Sequence, residues 1–300
     1  MDDPGRSFVH RSGHAAGTTL TRNDVAMACR AGTHEIHHDT GRDVVIKRFR
    51  SWDRREPTRE WTALTLLAEF APGLAATPVR ADLTTDPPVI EMSRLPGVPL
   101  GGTPLSAAQA DALAPALDRL WNAVPHGMLT GLKPGLNASQ LARRVTGMLA
   151  AHHTMDDRAL VRRAWQAGAG WFFGGALELL NGGNMVLGQG DPNLANFLWD
   201  GTQIRIVDFE DSGPSDRAFE LAVLVEHISA RSDAGLSADR FLALYDLTAA
   251  EQVEVREYRR LSALFWLMLL LPGGRAHHRN PPGTLERQAA RLLLLLDGSE

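Results

Sequence analysis

The stretch that decides the fold is "GQGDPNLANFLWDGTQIRIVDFED", residues 188–211. It places Asp191, Asn196 and Asp208 around two short apolar runs, which the turn signal Asp200-Gly201 separates. Two β-like runs joined by such a turn bring Asn196 and Asp208 side by side. Mg²⁺ prefers hard oxygen ligands and often takes the remainder from water and phosphates, so one carboxylate and one amide suit it. The stretch therefore predicts a Mg²⁺ site, with Asp191 left to act as a base or to orient a nucleophile.

The bulk composition indicates a globular protein with more than one lobe. The chain has 300 residues, of which 44% are hydrophobic, and its formal net charge of −4 gives no basic surplus for binding nucleic acid. Its one cysteine, Cys29, excludes an internal disulfide and fits a reducing compartment. The N-terminus lacks the apolar core of an export signal. The longest apolar run, in "LSALFWLMLLLPGG", is shorter than the roughly 20 residues that span a bilayer. We therefore expect a cytoplasmic protein with no membrane or nucleic-acid partner.

The predicted secondary structure changes after about the first third of the chain. The start contains a possible short helix, "TRNDVAMACRAG", a hairpin about Asp39-Thr40-Gly41, the helical "PTREWTALTLLAEFAPG", and the β-like "TPVRADL" and "PPVIEMS". The Pro- and Gly-rich "RLPGVPLGGTP" then marks a boundary. From Ser106 onward the chain is mostly helical at the expected spacing, apart from the opening stretch. We expect an α+β protein with a β-rich lobe over residues 1–93 and a mainly α-helical lobe over residues 94–300.

The chain contains only two lysines, Lys47 and Lys133, among many arginines. Lys47 closes the apolar run 44–46, and Glu60 follows 13 residues later on the predicted helix. Glu60 lies on the stripe that should face the sheet, where a carboxylate needs a partner because an unpaired buried charge is costly. Lys47 is the obvious partner. Kinases use such a pair to aim a lysine at nucleotide phosphates.

The order of these residues resembles the protein-kinase-like fold and, more narrowly, the aminoglycoside phosphotransferase family with its small-molecule kinase relatives. That family typically carries His-Gly-Asp-x-x-x-x-Asn followed by a strand ending in Ile-Asp-Trp-Glu-Asp. Here residues 189–196 read "QGDPNLAN" and residues 206–211 read "IVDFED". The following "SDRAFELAVL" is similar to the family's Gly-Asp-Pro-x-x-Asp-Leu-Ala stretch. The resemblance runs from about residue 32 to residue 226 and implies a two-lobed kinase-like fold.

The resemblance also implies a role for each matched residue. Asp191 is expected to accept the proton of the acceptor hydroxyl, and Asn196 and Asp208 to bind Mg²⁺. Lys47 is expected to contact the α- and β-phosphates, with Glu60 holding it. The expected nucleotide contacts are the hinge residues Glu91, Met92 and Ser93 and, in the covering loop, Gly32 and Thr33.

The implied reaction transfers the γ-phosphoryl of ATP or GTP to a hydroxyl of a small molecule, with an aminoglycoside-type antibiotic as the leading acceptor. One alternative is a metabolic or biosynthetic kinase for a sugar, an amino alcohol or a natural product. Another is a nucleotide-binding pseudokinase, because Gln189 replaces the usual histidine and the covering loop has few glycines. The sequence has no P-loop, no G-x-S-x-G elbow, and neither the catalytic loop nor the activation segment of a protein kinase.

Several polar residues are open to a purely structural interpretation. Glu210 and Asp211 either support the site or belong to a solvated loop, and we favour the loop. His34, His37 and His38 are expected to be exposed on the hairpin, since a strand would point them to different faces. Asp216 is expected to cap the helix that follows it.

Overall fold

The computed structural model describes residues 34–151, 158–180, 183–233 and 235–298. The helix predicted in "TRNDVAMACRAG" lies outside the described residues. Gly32 and Thr33, which were predicted to contact the nucleotide, also lie outside them.

The described chain begins with an antiparallel four-stranded sheet in the order β1-β2-β4-β3. Its strands are β1 (His34–Asp39), β2 (Val44–Phe49), β3 (Pro78–Asp82) and β4 (Val89–Ser93). β1 and β2 form the predicted hairpin, with Ile36 opposite Lys47 and the turn at residues 40–43. The predicted helix α1 (Glu56–Phe70) follows β2, and the β-like segments before the Pro- and Gly-rich boundary are β3 and β4.

The stretch 188–211 builds part of two smaller sheets. One has the order β5-β7-β8, formed by β5 (Val98–Pro99), β7 (Phe197–Trp199) and β8 (Ile204–Ile206). The other pairs β6 (Met185–Gly188) with β9 (Gly213–Asp216). The two β-like runs predicted around Asp200-Gly201 are β7 and β8, and they pair antiparallel. Asn196 and Asp208 therefore flank the same hairpin.

The remainder of the described chain is mainly helical, as the sequence predicts. The helices after α1 are α2 (Ala107–Ala123), α3 (His126–Leu129), α4 (Ala138–Ala151), α5 (Ala159–Phe173), α6 (Arg217–Glu226), α7 (Ala238–Leu242), α8 (Ala249–Leu270) and α9 (Thr284–Asp297). α2 begins with a capping box between Ser106 and Gln109, and Asp216 caps α6 through the backbone N–H groups of Ala218 and Phe219.

The helical part packs around α6, whose residues 218–226 are all buried. α6 lies against α8, and α8 also packs against α9. The longest apolar run, in "LSALFWLMLLLPGG", is too short for a membrane span and forms the largely buried second half of α8. Leu292 and Leu295 near the C-terminus are buried as well. None of the described helices is both long and apolar enough to cross a bilayer.

Two local predictions differ from the structure. The stretch "DDRALVRRAWQAGAGWFFGGALELL", residues 156–180, has the sequence pattern of a helix, but α5 ends at Phe173 because Gly174 and the left-handed Gly175 (φ 79°) follow. β9 was not predicted, since "GPSD" has a proline and a glycine and little β-propensity. The strand forms there by pairing antiparallel with β6. Gly135 packs against the backbone of Ser212 and Gly213 beside it, where a Cβ on Gly135 would lie 2.3 Å from the Ser212 carbonyl oxygen.

A buried charge cluster joins the three central helices. The carboxylate of Glu226 at the end of α6 is fully buried and accepts from Arg259 Nε (2.9 Å) on α8 and Arg291 Nη2 (2.6 Å) on α9. Arg231 Nη1 lies 3.7 Å away and also donates to Gln288. Removing one partner of such a buried cluster is strongly destabilising because the remaining charges stay buried.

We expect Glu226→Ala to lower the free energy of unfolding by about 3–5 kcal/mol, since it leaves buried guanidinium groups without this carboxylate. Chemical denaturation monitored by circular dichroism measures the change. Glu286→Ala is the matched control: its ion pair with Arg158 (2.6 Å) is about 40% exposed on both sides. That variant should lose no more than about 1 kcal/mol. Equal losses in the two variants would contradict the assignment.

Candidate active site

The ammonium of Lys47 lies at the centre of the candidate site. β2 carries Lys47 on the sheet face that packs toward α1, and its side chain is only 3% exposed. Its Nζ donates to Glu60 Oε2 (2.9 Å), the contact that the sequence predicts, and to Asp208 Oδ1 (2.5 Å). Burial alone would lower the pKa of Lys47, but the charges of Glu60, Asp208 and a third carboxylate outweigh it and raise the pKa. The lysine therefore stays charged.

The third carboxylate belongs to Glu210, so our preference for a solvated loop there is wrong. Glu210 is 6% exposed, and its Oε2 lies 3.1 Å from Lys47 Nζ and 3.1 Å from His34 Nδ1. His34 is accordingly half-buried, whereas His37 and His38 are exposed as expected. Asp211 is partly buried and accepts from Arg54 Nη1 at 2.7 Å. The strand alternation used for the prediction does not reveal these long-range partners.

Asp191 lies in the loop between β6 and β7. The side chain of Asn196 donates from Nδ2 to the Asp191 backbone oxygen (3.0 Å) and to Asp191 Oδ2 (3.2 Å), which fixes the carboxylate. Burial raises the pKa of Asp191 to about 6, and the negative charges of Asp208 and Asp211 contribute in the same direction. The side chain remains 42% exposed, so a small molecule can reach it.

Gln189 holds this loop against the strand that delivers Asp208. Its Nε2 donates to the backbone oxygens of Asp208 (2.8 Å) and Val207 (3.2 Å), while its Oε1 accepts from Asp191 N–H (2.8 Å). Gln189 is 2% exposed, so these bonds are shielded from water. A carboxamide can donate and accept at once, which lets one side chain bridge the two segments. Gln189 therefore fixes the position of the Asp191 loop relative to Asp208.

The backbone is constrained at Asp208 and Gly190, on either side of the hydrogen bonds made by Gln189. Asp208 has a left-handed backbone (φ 65°), which a non-glycine residue adopts only when its surroundings hold it there. Gly190 also has a positive φ of 85°, and a Cβ on it would lie 2.2 Å from the Asp211 backbone oxygen. The glycine between Gln189 and Asp191 is thus required by close approach of the two loops.

His227 and Ser229, after α6, support the other side of the loop; the sequence analysis does not identify them. Ser229 Oγ accepts from Leu194 N–H (2.9 Å), and the Ser229 N–H donates to His227 Nδ1 (3.1 Å). The opposite ring nitrogen, Nε2, lies 4.0 Å from Asp191 Oδ1. Burial lowers the pKa of His227 to about 3, so the ring is neutral at pH 7 and presents an N–H toward Asp191.

Two sets of side-chain ligand atoms could hold a cation. Asn196 and Asp208 fit Mg²⁺: the Asn196 nitrogen is used by Asp191, which leaves the amide oxygen for a ligand, and Asp208 supplies a carboxylate. His34, Asp208 and Glu210 also offer atoms within 4.8 Å of one another. Asp208 belongs to both sets, whereas Glu210 already lies 3.1 Å from Lys47 Nζ and 3.1 Å from His34 Nδ1. Asn196 and Asp208 are therefore the candidate Mg²⁺ ligands.

The predicted hinge lies on β4, directly opposite the strand of Lys47. Met92 pairs with Val45 and is buried on the sheet face of Lys47, because cross-strand partners share a face. The Glu91 side chain is on the other face and accepts from Arg42 Nη2 (2.9 Å). Ser93 N–H donates to the Thr77 backbone oxygen (2.8 Å). Of the three, Met92 is thus the side chain that lies on the site's side.

The chain matches a known family over most of its length. The family model described as "Phosphotransferase enzyme family" matches residues 33–264, which is more than half of the chain. The matched range contains every residue of the site described above. A search of curated proteins finds no match.

Solved structures of small-molecule kinases have a similar fold. A choline/ethanolamine kinase family protein from Mesorhizobium loti is 17% identical with a TM-score of 0.63, covering 89% of this chain and 86% of that one. The choline kinase LicA from Streptococcus pneumoniae is 14% identical with a TM-score of 0.60, covering 90% and 91%. An aminoglycoside 2'-phosphotransferase-IIIa in a GDP complex is 17% identical with a TM-score of 0.58, covering 89% and 88%.

The resemblance of residues 189–196 and 206–211 and the expected two-lobed architecture are both confirmed by these matches. A small antiparallel sheet with one helix precedes a larger helical part; Lys47 and Glu60 come from the first, and Asp191, Asn196 and Asp208 come from the second. This chain belongs to the phosphotransferase enzyme family and has the protein-kinase-like fold of its small-molecule kinases.

Proposed function

We propose that this protein transfers the γ-phosphoryl group of ATP or GTP to a hydroxyl of a small molecule. The observation that carries the proposal is the position of Lys47 Nζ, 2.9 Å from Glu60 and 2.5 Å from Asp208. A buried cation held in this way, next to a candidate Mg²⁺ ligand, suits the tail of a triphosphate. A complete set of phosphate-binding and base groups favours an active enzyme over a pseudokinase.

Asp191 is the proposed base. The acceptor hydroxyl oxygen forms a bond to the γ-phosphorus while the bond to the β-phosphate oxygen breaks, and Asp191 takes the hydroxyl proton. Asn196 fixes the carboxylate through its Nδ2, and the neutral His227 lies on its other side. With a pKa of about 6, most Asp191 side chains are ionised at pH 7 and can accept a proton.

The remaining roles concern the nucleotide. Asn196 and Asp208 would hold Mg²⁺, which when bound neutralises charge on the phosphates. Lys47 would contact the α- and β-phosphates, and Glu60 would keep it in place. We propose that the nucleobase of ATP or GTP lies against Met92 and the backbone of Glu91–Ser93, at the boundary between lobes of residues 1–93 and 94–300. Gly32 and Thr33 are proposed to cover the phosphates.

Aminoglycoside-type antibiotics are the first acceptor class that we propose, because the sequence resembles that family and solved neighbours include a spectinomycin phosphotransferase in complex with spectinomycin. Amino alcohols are the second class. The indole of Trp266 meets the His227 ring edge-on at 4.8 Å, close to Asp191, and an indole is the best aromatic partner for an organic cation. Similarity in fold to choline kinases supports testing this class.

We expect Mg²⁺-dependent transfer of ³²P from γ-labelled ATP or GTP to at least one acceptor in a panel of aminoglycosides, spectinomycin, choline, ethanolamine and sugars. Asp191→Ala should lower kcat by about 10²–10⁴-fold, since it removes the base but none of the nucleotide contacts. Calorimetric titration with Mg²⁺ and a non-hydrolysable ATP analogue should show that this variant still binds nucleotide.

Asp239→Ala is the matched control, because Asp239 lies on the first turn of the short α7 and is not part of the site. It should keep the wild-type kcat. Nucleotide binding by the wild type without turnover on any acceptor would instead support the pseudokinase. Absence of nucleotide binding would contradict both proposals.

The titration of Asp191 provides a separate prediction. Following its carboxyl carbon by NMR should give a midpoint near pH 6, and Asp208→Asn should lower that midpoint because one neighbouring negative charge is lost. The carboxylate form, and with it kcat, should rise as the pH increases through 6. Glu69→Gln, which alters an exposed carboxylate on α1, should leave the midpoint unchanged. A rise of the midpoint in Asp208→Asn would contradict the electrostatic model.

Gln189 should act as a positioning residue. We expect Gln189→Ala to lower kcat by about 100-fold, because Asp191 and Asp208 lose their shared bridge and small misplacements are costly in phosphoryl transfer. The KM for nucleotide should change much less. Gln189→His should recover much of the loss, since an imidazole N–H can still donate to the Asp208 backbone oxygen. The exposed Gln203→Ala is the control, and wild-type kcat in Gln189→Ala would refute the role.

A further inference from the structure

A second, basic cavity lies beside the N-terminal half of α1, apart from the residues assigned above. Its volume is about 220 Å³. One wall is the face of α1 that carries Thr58, Arg59 and Thr62, and the opposite wall comes from residues 131–133 and 212–213. The lining residues are Arg55, Thr58, Arg59, Thr62, Ala63, Gly131, Leu132, Lys133, Leu187, Ser212 and Gly213, and none of them is acidic.

Three cationic residues, Arg55, Arg59 and Lys133, line this cavity. Arg55, Arg59 and Lys133 form no ion pair with any residue in the part of the chain that the structure describes. The Nε of Arg59 is buried and has no hydrogen-bond partner there. Buried polar groups are normally satisfied, so an orphaned guanidinium nitrogen beside an open cavity indicates a missing acceptor. Lys133 is one of only two lysines in the chain.

Glu56 and Asp211, the carboxylates that attract Arg59, are both paired directly with Arg54. Arg54 Nε lies 3.0 Å from Glu56 Oε1, and its Nη1 lies 2.7 Å from Asp211 Oδ1. Burial lowers the pKa of Arg59; the negative charges of Asp211 and Glu56 oppose this shift, and the positive charges of Arg54 and Arg55 add to it. The cavity thus concentrates positive charge on a chain whose net charge is −4. Such a concentration is stabilised by an anion.

The rest of the lining restricts the type of anion. Ala63, Leu132 and Leu187 give the cavity an apolar side, and Thr58 and Thr62 carry both a methyl and a hydroxyl group. An inorganic ion would leave that apolar surface unused. A ligand with a compact apolar body and one doubly charged group matches both sides, because three unpaired cations favour a dianion over a monoanion.

We propose that this cavity is a binding site for a small phosphate monoester, with the phosphate held by Arg59 and Lys133. Arg55 at the rim adds a third charge, and the apolar body of the ligand lies against Leu132 and Leu187. The site is independent of the proposed kinase reaction, since none of its residues belongs to the Lys47 cluster or to the loop of Asp191.

Isothermal titration of the full chain with phenyl phosphate tests the site, with a saturating non-hydrolysable ATP analogue and Mg²⁺ present to block the nucleotide site. We expect saturable binding that weakens with salt, weaker binding of the monoanion benzoate, and none of neutral benzyl alcohol. The double variant Arg59→Gln with Lys133→Gln should bind phenyl phosphate about tenfold or more weakly, because it removes two charge-assisted contacts.

The matched control removes the same charge elsewhere: Arg162→Gln with Arg163→Gln, two exposed residues on α5, should keep the wild-type affinity. Circular dichroism should show that the cavity variant is folded. Should that variant not fold, Lys133→Gln alone carries the test, because Lys133 is exposed on a loop. Absence of binding to the wild type, or equal affinity in the cavity and control variants, would overturn the proposal.

Discussion

The structure depends on one buried ammonium. Lys47 Nζ contacts carboxylates from α1 and from the segment after β8, so a single cation joins the sheet, the helix and the candidate Mg²⁺ ligand Asp208. Without Lys47, the carboxylates of Glu60 and Glu210 would be buried together and would repel each other, which is a costly arrangement. The same contacts hold Lys47 and Asp208, the residues proposed to act on the phosphates, in fixed positions relative to each other.

Most of this arrangement could be predicted because it follows from local patterns. The 13-residue spacing from Lys47 to Glu60 crosses one strand end and one helix start, and the buried stripe of α1 requires a partner for the glutamate. Asn196 and Asp208 flank a tight hairpin, so the turn signal at Asp200-Gly201 is enough to bring them together. Sequence motifs of this kind predict both the fold and the order of the site residues along the chain.

The contacts that the sequence does not reveal are those between distant segments. Glu210 follows a turn and resembles a loop residue, yet it is buried because His34, 176 residues earlier, and Lys47 meet it from the sheet. Gln189 stands where the family usually has a histidine. Its hydrogen bonds to both segments depend on the position of the Asp208 backbone, which the sequence does not show. His227 lies 36 residues beyond Asp191 at the end of a helix, and no periodicity links the two. Tertiary packing alone supplies these partners.

The geometry also accounts for a lysine at this position in a chain whose other cations are, with one exception, arginines. Glu60, Asp208 and Glu210 approach Nζ at 2.9, 2.5 and 3.1 Å from three different elements. An ammonium has three donors arranged about one point and can satisfy all three acceptors at once. A guanidinium is planar, and its N–H donors suit the two oxygens of one carboxylate. Because it is also wider than an ammonium, it would push α1 away from β2. The choice of cation is therefore dictated by three converging carboxylates.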